Sequence, residues 1–206
     1  MFKIYLNHKK LLQPLLLLLF LNITFSAVAQ DSIKVSIVKA DSTWSKEIIP
    51  FPVDWLPKLT ISGFEELRFA PNWSNPKHEE FWSLIMAWQV ETKTKLALKT
   101  VRFNLNHYFT ELMKPNHWAT AFPEPILKLE NLEDSKDSTD FKGTLTFFDG
   151  FHTDKVITVN ILANQTFCKD LGISVIVFRL SPRPFNKPTW NALNAVSIND
   201  EICLGK

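Results

Sequence analysis

Phe141-Lys142-Gly143-Thr144-Leu145-Thr146-Phe147-Phe148 is followed by Asp149-Gly150-Phe151-His152-Thr153-Asp154 and then by Lys155-Val156-Ile157-Thr158-Val159-Asn160-Ile161-Leu162-Ala163. Successive side chains of a strand point to opposite faces, so residues two apart share one. In the first run Phe141, Gly143, Leu145 and Phe147 fall on one side, against Lys142, Thr144, Thr146 and Phe148. In the second, Ile157, Val159, Ile161 and Ala163 oppose Val156, Thr158, Asn160 and Leu162. Asp149-Gly150 opens the connection with a turn signal. The reading is a β-hairpin with an apolar face that needs cover, so a sheet lies at the centre of the fold.

C-terminal to the hairpin, Ile173 to Leu180 is apolar on both faces and rich in β-branched residues. That pattern predicts a central strand, covered on both sides. Ser181-Pro182-Arg183-Pro184 breaks the chain, and Pro188 to about Val196 predicts a terminal helix with Trp190, Leu193 and Val196 on its buried side.

N-terminal to the hairpin, Thr94 to Met113 is the clearest helix. Leu98, Val101, Leu105, Tyr108 or Phe109, and Leu112 recur every three to four residues, Thr92 or Thr94 is placed to cap the start, and Lys114-Pro115 ends it. Ile61 to Ala70 and Phe81 to Val90 read as strands, joined by a polar loop around Trp73. Alternation sends Glu65 and Glu66 to opposite faces, and Glu66 with Arg68 reads as a surface ion pair. Residues 30–60 read as a lead-in, with a weak edge strand at Ser32–Val38 and a strap stiffened by Pro50, Pro52 and Pro57. Asn116 to Asp140 reads as irregular; it conceals a short strand near Ile126–Leu129 or divides residues 30–206 into two lobes near 115–140. The expected fold class is α+β, a mainly antiparallel sheet covered by about two helices, in the order β-β-α-β-β-β-α.

Residues 1–29 have a different character. Lys3, Lys9 and Lys10 precede an apolar run, and Ala27-Val28-Ala29 follows it. A basic start, an apolar middle and small residues at the −3 and −1 sites form a signal peptide, expected to be cleaved after Ala29. The alternative is an uncleaved anchor, which Gln13, Pro14, Asn22 and Thr24 weaken. Cleavage takes three lysines from the 23 basic residues, leaving 20 against 21 acidic ones. Such a near-neutral body argues against nucleic acid, whose binding rests on neutralising phosphates. No other stretch is apolar enough to span a membrane, so the expected location is periplasmic or secreted.

Within 206 residues there are only two cysteines, Cys168 and Cys203. In an exported chain they are expected to form a disulfide, the alternative being two buried thiols. His78 with Glu79 and Glu80, and His152 with Asp154, lack metal-ligand spacing, so no metal or other cofactor is expected. No nucleophile elbow and no glycine-rich phosphate loop is present. Seven Trp and 17 Phe are the unusual feature, and Trp73, in a loop with His78, is the best exposed binding candidate.

Phe64-Glu65-Glu66-Leu67-Arg68-Phe69-Ala70-Pro71, Phe81-Trp82-Ser83 and Ser181-Pro182-Arg183-Pro184 before Pro188-Thr189-Trp190 resemble a set of uncharacterised exported bacterial proteins. The resemblance implies export and no particular activity. The leading expectation is an exported, non-catalytic protein that binds a protein partner or a small apolar ligand through Trp73, His78 and His152. The rivals are an exported hydrolase with a site built from His78, His152 and Asp154, and an envelope-structural subunit.

Overall fold

The computed structural model describes residues 36–114 and 122–204. The leader with its cleavage site, most of the weak edge strand at 32–38, and His117 lie outside the described residues. The elements are β1 (Val38–Lys39), β2 (Ser45–Phe51), β3 (Gly63–Phe69), β4 (Leu84–Glu91), α1 (Leu98–Leu112), β5 (Ile126–Asp134), β6 (Ser138–Asp149), β7 (Lys155–Cys168), β8 (Ile173–Ser181), α2 (Thr189–Ala195) and β9 (Ser197–Ile198). A 3-10 turn follows at Asp200–Cys203. The fold is α+β and mainly sheet.

Seven strands form one sheet in the order β2-β3-β4-β8-β7-β6-β5, and β1 pairs with β9 apart from it. Every pairing is antiparallel. The hairpin forms as its alternation requires, with Phe141 opposite Ala163, Leu145 opposite Val159 and Phe147 opposite Ile157. β8 lies at the centre between β4 and β7, which explains its apolar residues on both faces. The connection from β4 to β5 carries α1 and reaches the far edge of the sheet.

The seven-stranded sheet has two strands beyond the expected order, and both are edges. β2 falls inside the stretch 30–60 read as a lead-in and overlaps the start of its strap. Its first three residues, Ser45-Lys46-Glu47, are exposed and polar, and Pro50 interrupts its donors, so no apolar alternation marks it. An edge position tolerates that proline, and charges there discourage pairing with other chains. β5 is the strand concealed in the irregular stretch, and it runs on to Asp134. Lys128, Glu130 and Glu133 give it the same polar character. The strap itself survives at 52–62, where Leu56 is buried and Asn104 of α1 accepts the backbone N–H of Thr60 at 2.8 Å. Gly63 ends the strap; its φ is +137°, and a Cβ there would lie 1.9 Å from the Gln89 carbonyl oxygen of β4, so only glycine fits.

The sheet is covered on both faces. α1 and the strap close a core that includes Trp88, Leu105, Tyr108, Phe147 and Phe178. On the opposite face α2, Trp44 and the β1–β9 pair close a second core around Ile37, Ile85, Val177, Trp190 and Leu193. α1 begins at Leu98, later than the threonines suggest: its N-cap is Ala97, without a side-chain bond, while Thr92 and Thr94 bond to each other in the preceding turn. The end of α2 is held by Arg179, which donates to the carbonyls of Leu193 and Val196. Cys168 at the end of β7 is bonded to Cys203 with a Cα separation of 5.2 Å, so the expected disulfide joins the tail to the sheet. Among the described residues, no helix is long and apolar enough to cross a membrane.

Candidate functional site

β3 places two adjacent carboxyl groups on opposite faces, as alternation requires, and buries both completely. The expected surface ion pair of Glu66 is therefore wrong about burial: a sheet covered on both sides has no solvent face at this strand. Glu66 accepts the backbone N–H of Ile37 at 2.6 Å, the Ser36 hydroxyl at 2.7 Å and the Arg68 guanidinium at 2.7 Å, with the Lys46 ammonium 3.8 Å away. Its charge is matched on the α2 face.

Glu65 faces α1 and has no such match. It accepts the Trp88 indole N–H at 2.9 Å and the Tyr108 phenol O–H at 2.8 Å, both neutral donors. Burial pushes its pKa up to about 8; the two hydrogen bonds oppose the shift, and nearby Glu47 adds to it. Burial, followed by the Glu65 charge, raises Tyr108 well above the ordinary phenol value, so Tyr108 remains a neutral donor.

Beside this pair, α1 stands off the sheet and leaves a cavity of about 480 Å³ over β2, β3 and β4. Cross-strand register orders its floor into rows. Ser45, Phe69 and Leu84 form one row, and Glu47, Leu67 and Met86 the next. Ile49 extends into the row of Glu65 and Trp88, beneath Tyr108. Half of the fourteen described residues that line it are aromatic, and among them Glu47 is the only charged one.

Trp55 of the strap meets Tyr108 edge-on at 5.4 Å and makes one end of the cavity. The other end is a cluster around Trp73. Its ring lies 4.5 Å from Phe69, 5.9 Å from Trp82 and 4.8 Å from His152. Trp82 adopts φ +51°, a backbone conformation that costs roughly 1–2 kcal/mol for a residue other than glycine, and its N–H donates to the Trp73 carbonyl at 2.8 Å. The turn after β6 supplies Phe151 and His152. Fully buried Asp149 fixes that turn, accepting the N–H of Phe151 and of His152 and the hydroxyl of Thr153.

The structure brings Trp73 and His152 together, 79 positions apart, and the contacts described for His78 lie elsewhere. Trp73 is half-buried in the cluster rather than exposed. His78 Nδ1 accepts the Glu80 N–H at 3.2 Å, and its carbonyl accepts the Arg183 guanidinium at 2.7 Å. None of the contacts described for His78 is with His152 or Asp154. Burial lowers the pKa of His152 below its ordinary value, against the pull of Asp149. Its Nε2 and the indole N–H of Trp82 are buried without a partner among the described residues, which is uncommon in a packed interior. Trp82 also lines the cavity.

A larger, more open depression of about 630 Å³ runs along β5 and β6. Two of the charged groups described on its lining are engaged: Arg102 donates to the Leu129 carbonyl, and Lys142 sits 4.9 Å over the Phe185 ring. Among the described residues no three His, Cys, Asp or Glu side chains gather to hold a metal ion.

The fold and the cavity together define an α+β protein whose broad antiparallel sheet holds an aromatic-lined chamber beneath a single helix. No family model, curated protein or solved structure matches the chain.

Proposed function

We propose that this chain is an exported, non-catalytic binding protein that holds a small apolar ligand in the cavity between α1 and strands β2–β4. The observation that carries the reading is the cavity itself. Its volume of about 480 Å³ lies in the range of small-molecule sites, roughly 300–1,000 Å³, and aromatic and aliphatic side chains make up most of its wall. Apolar surface transferred from water to such a wall is the dominant favourable term in binding. Export is supported by the composition of the leader and by a disulfide, a bond that persists in oxidising compartments.

Titration with the neutral fluorescent probe N-phenyl-1-naphthylamine tests the reading. Saturable one-site enhancement is expected, and Ser45→Trp, which fills the chamber from its exposed rim, should abolish it while leaving the circular dichroism spectrum intact. Binding that never saturates, or that Ser45→Trp leaves unchanged, defeats the proposal.

A further inference from the structure

The cavity is unusual in the sign of what it lacks. β2 and β3 carry two cations, Lys46 and Arg68, and both lie on the opposite face, where they meet Glu66. On the cavity face the same strands carry Glu47 and Glu65. Glu47 stands two residues diagonally from Glu65 across the β2–β3 register and is close enough to bias the titration of both Glu65 and Tyr108. No Lys or Arg appears among the described residues that line the chamber. Trp55 and Tyr108 line the same chamber as Glu47, and their rings meet edge-on at 5.4 Å. Aromatic faces attract an ammonium through the ring quadrupole, most strongly for Trp.

Resting on the binding reading above, we infer that the ligand is a cationic amphiphile, an alkyl- or aryl-ammonium whose charged head sits between Glu47, Trp55 and Tyr108 and whose apolar body lies along Leu67 and Met86 toward Trp73. The head and the aromatic end are one strand row apart, about 7 Å, which suits a short chain or a single ring system. A carboxylate or phosphate head is excluded from the same place by repulsion from Glu47 and by the lack of a counter-cation.

The experiment is calorimetric titration of the protein at about pH 7.5 with octyltrimethylammonium, octanol and octanoate, which share one chain and differ in head. The ammonium should bind about tenfold more tightly than octanol, and octanoate more weakly than octanol. Glu47→Gln, at an exposed position of an edge strand, should weaken the ammonium about five- to tenfold and leave octanol unchanged, and Glu47→Asp should keep the preference. Octanoate binding as tightly as the ammonium, or Glu47→Gln weakening all three alike, overturns the inference. If the ammonium fails while N-phenyl-1-naphthylamine still binds, this inference alone is lost. If neither binds, both readings fall.

Discussion

Glu65 and Glu66 are the same residue type, adjacent on one strand and equally buried, yet they live in opposite electrostatic surroundings. On the α2 face Glu66 is held by a guanidinium, a backbone N–H and a hydroxyl, and the disulfide joins that layer to the sheet. On the α1 face Glu65 has only neutral donors and lies beside the chamber. One side of the sheet is fastened; the other keeps space and an uncompensated acidic character. A buried carboxylate is stable only when its charge is paired or given up, and the two faces take one solution each.

The largest expected effect breaks the fastened side. Arg68→Ala leaves Glu66 buried with only Lys46 at 3.8 Å for compensation. Removing one partner of a buried pair costs about 3–5 kcal/mol, read as a fall in unfolding free energy in urea. A loss within about 0.5 kcal/mol, typical of a surface site, would mean the pair is not buried in solution. Next comes the covalent tie. The double change Cys168→Ser with Cys203→Ser should cost about 2–4 kcal/mol by the same measurement.

The third prediction sharpens the other side. Because the folded pKa of Glu65 is raised to about 8 from an ordinary 4.5, the folded state holds the proton more tightly than the unfolded chain. The stability this supplies is complete below the unfolded value and is lost as pH rises through about 8. His152 works in the opposite sense below its ordinary 6.5, where the unfolded chain takes the proton first. The informative window therefore runs from about pH 6.5 to about pH 8, where wild-type stability should fall by at most about 1.4 kcal/mol per pH unit. Glu65→Gln should flatten that slope. A slope that survives the substitution assigns the titration to a group other than Glu65.

Legibility followed the same division. The hairpin from Phe141 to Ala163, the doubly apolar strand at Ile173–Leu180 and the stripe of α1 could be read directly, because burial imposes a period on the first and last and an unbroken apolar run on the strand between. The edge strands β2 and β5 could not, since solvent on one margin removes the need for that period and selects Lys, Glu and Pro instead. Alternation separated Glu65 from Glu66, but their burial depends on a second covering layer that no local window contains. The chamber was hidden for a related reason. Ser45, Trp55, Leu67, Trp82 and Tyr108 meet only after strand register and the path of α1 are set. Trp73 and His152 could be nominated singly from composition; that they touch depends on the Asp149 turn and the backbone of Trp82.

The smallest expected effect tests whether burial, rather than charge type, separates the two faces. Lys39 and Asp200 form a pair at 2.6 Å, shorter than the Arg68–Glu66 contact at 2.7 Å, and join β1 to the turn that carries Cys203. Their side chains, however, are 55% and 86% exposed. Water and salt screen such a pair, and holding a long lysine in place costs side-chain entropy, so proximity alone contributes little. Lys39→Met should leave the urea midpoint unchanged within error at physiological ionic strength. If it costs as much as Arg68→Ala, distance and charge would suffice to explain both pairs, and the distinction drawn between Glu66 and its neighbour Glu65 from desolvation would lose its basis.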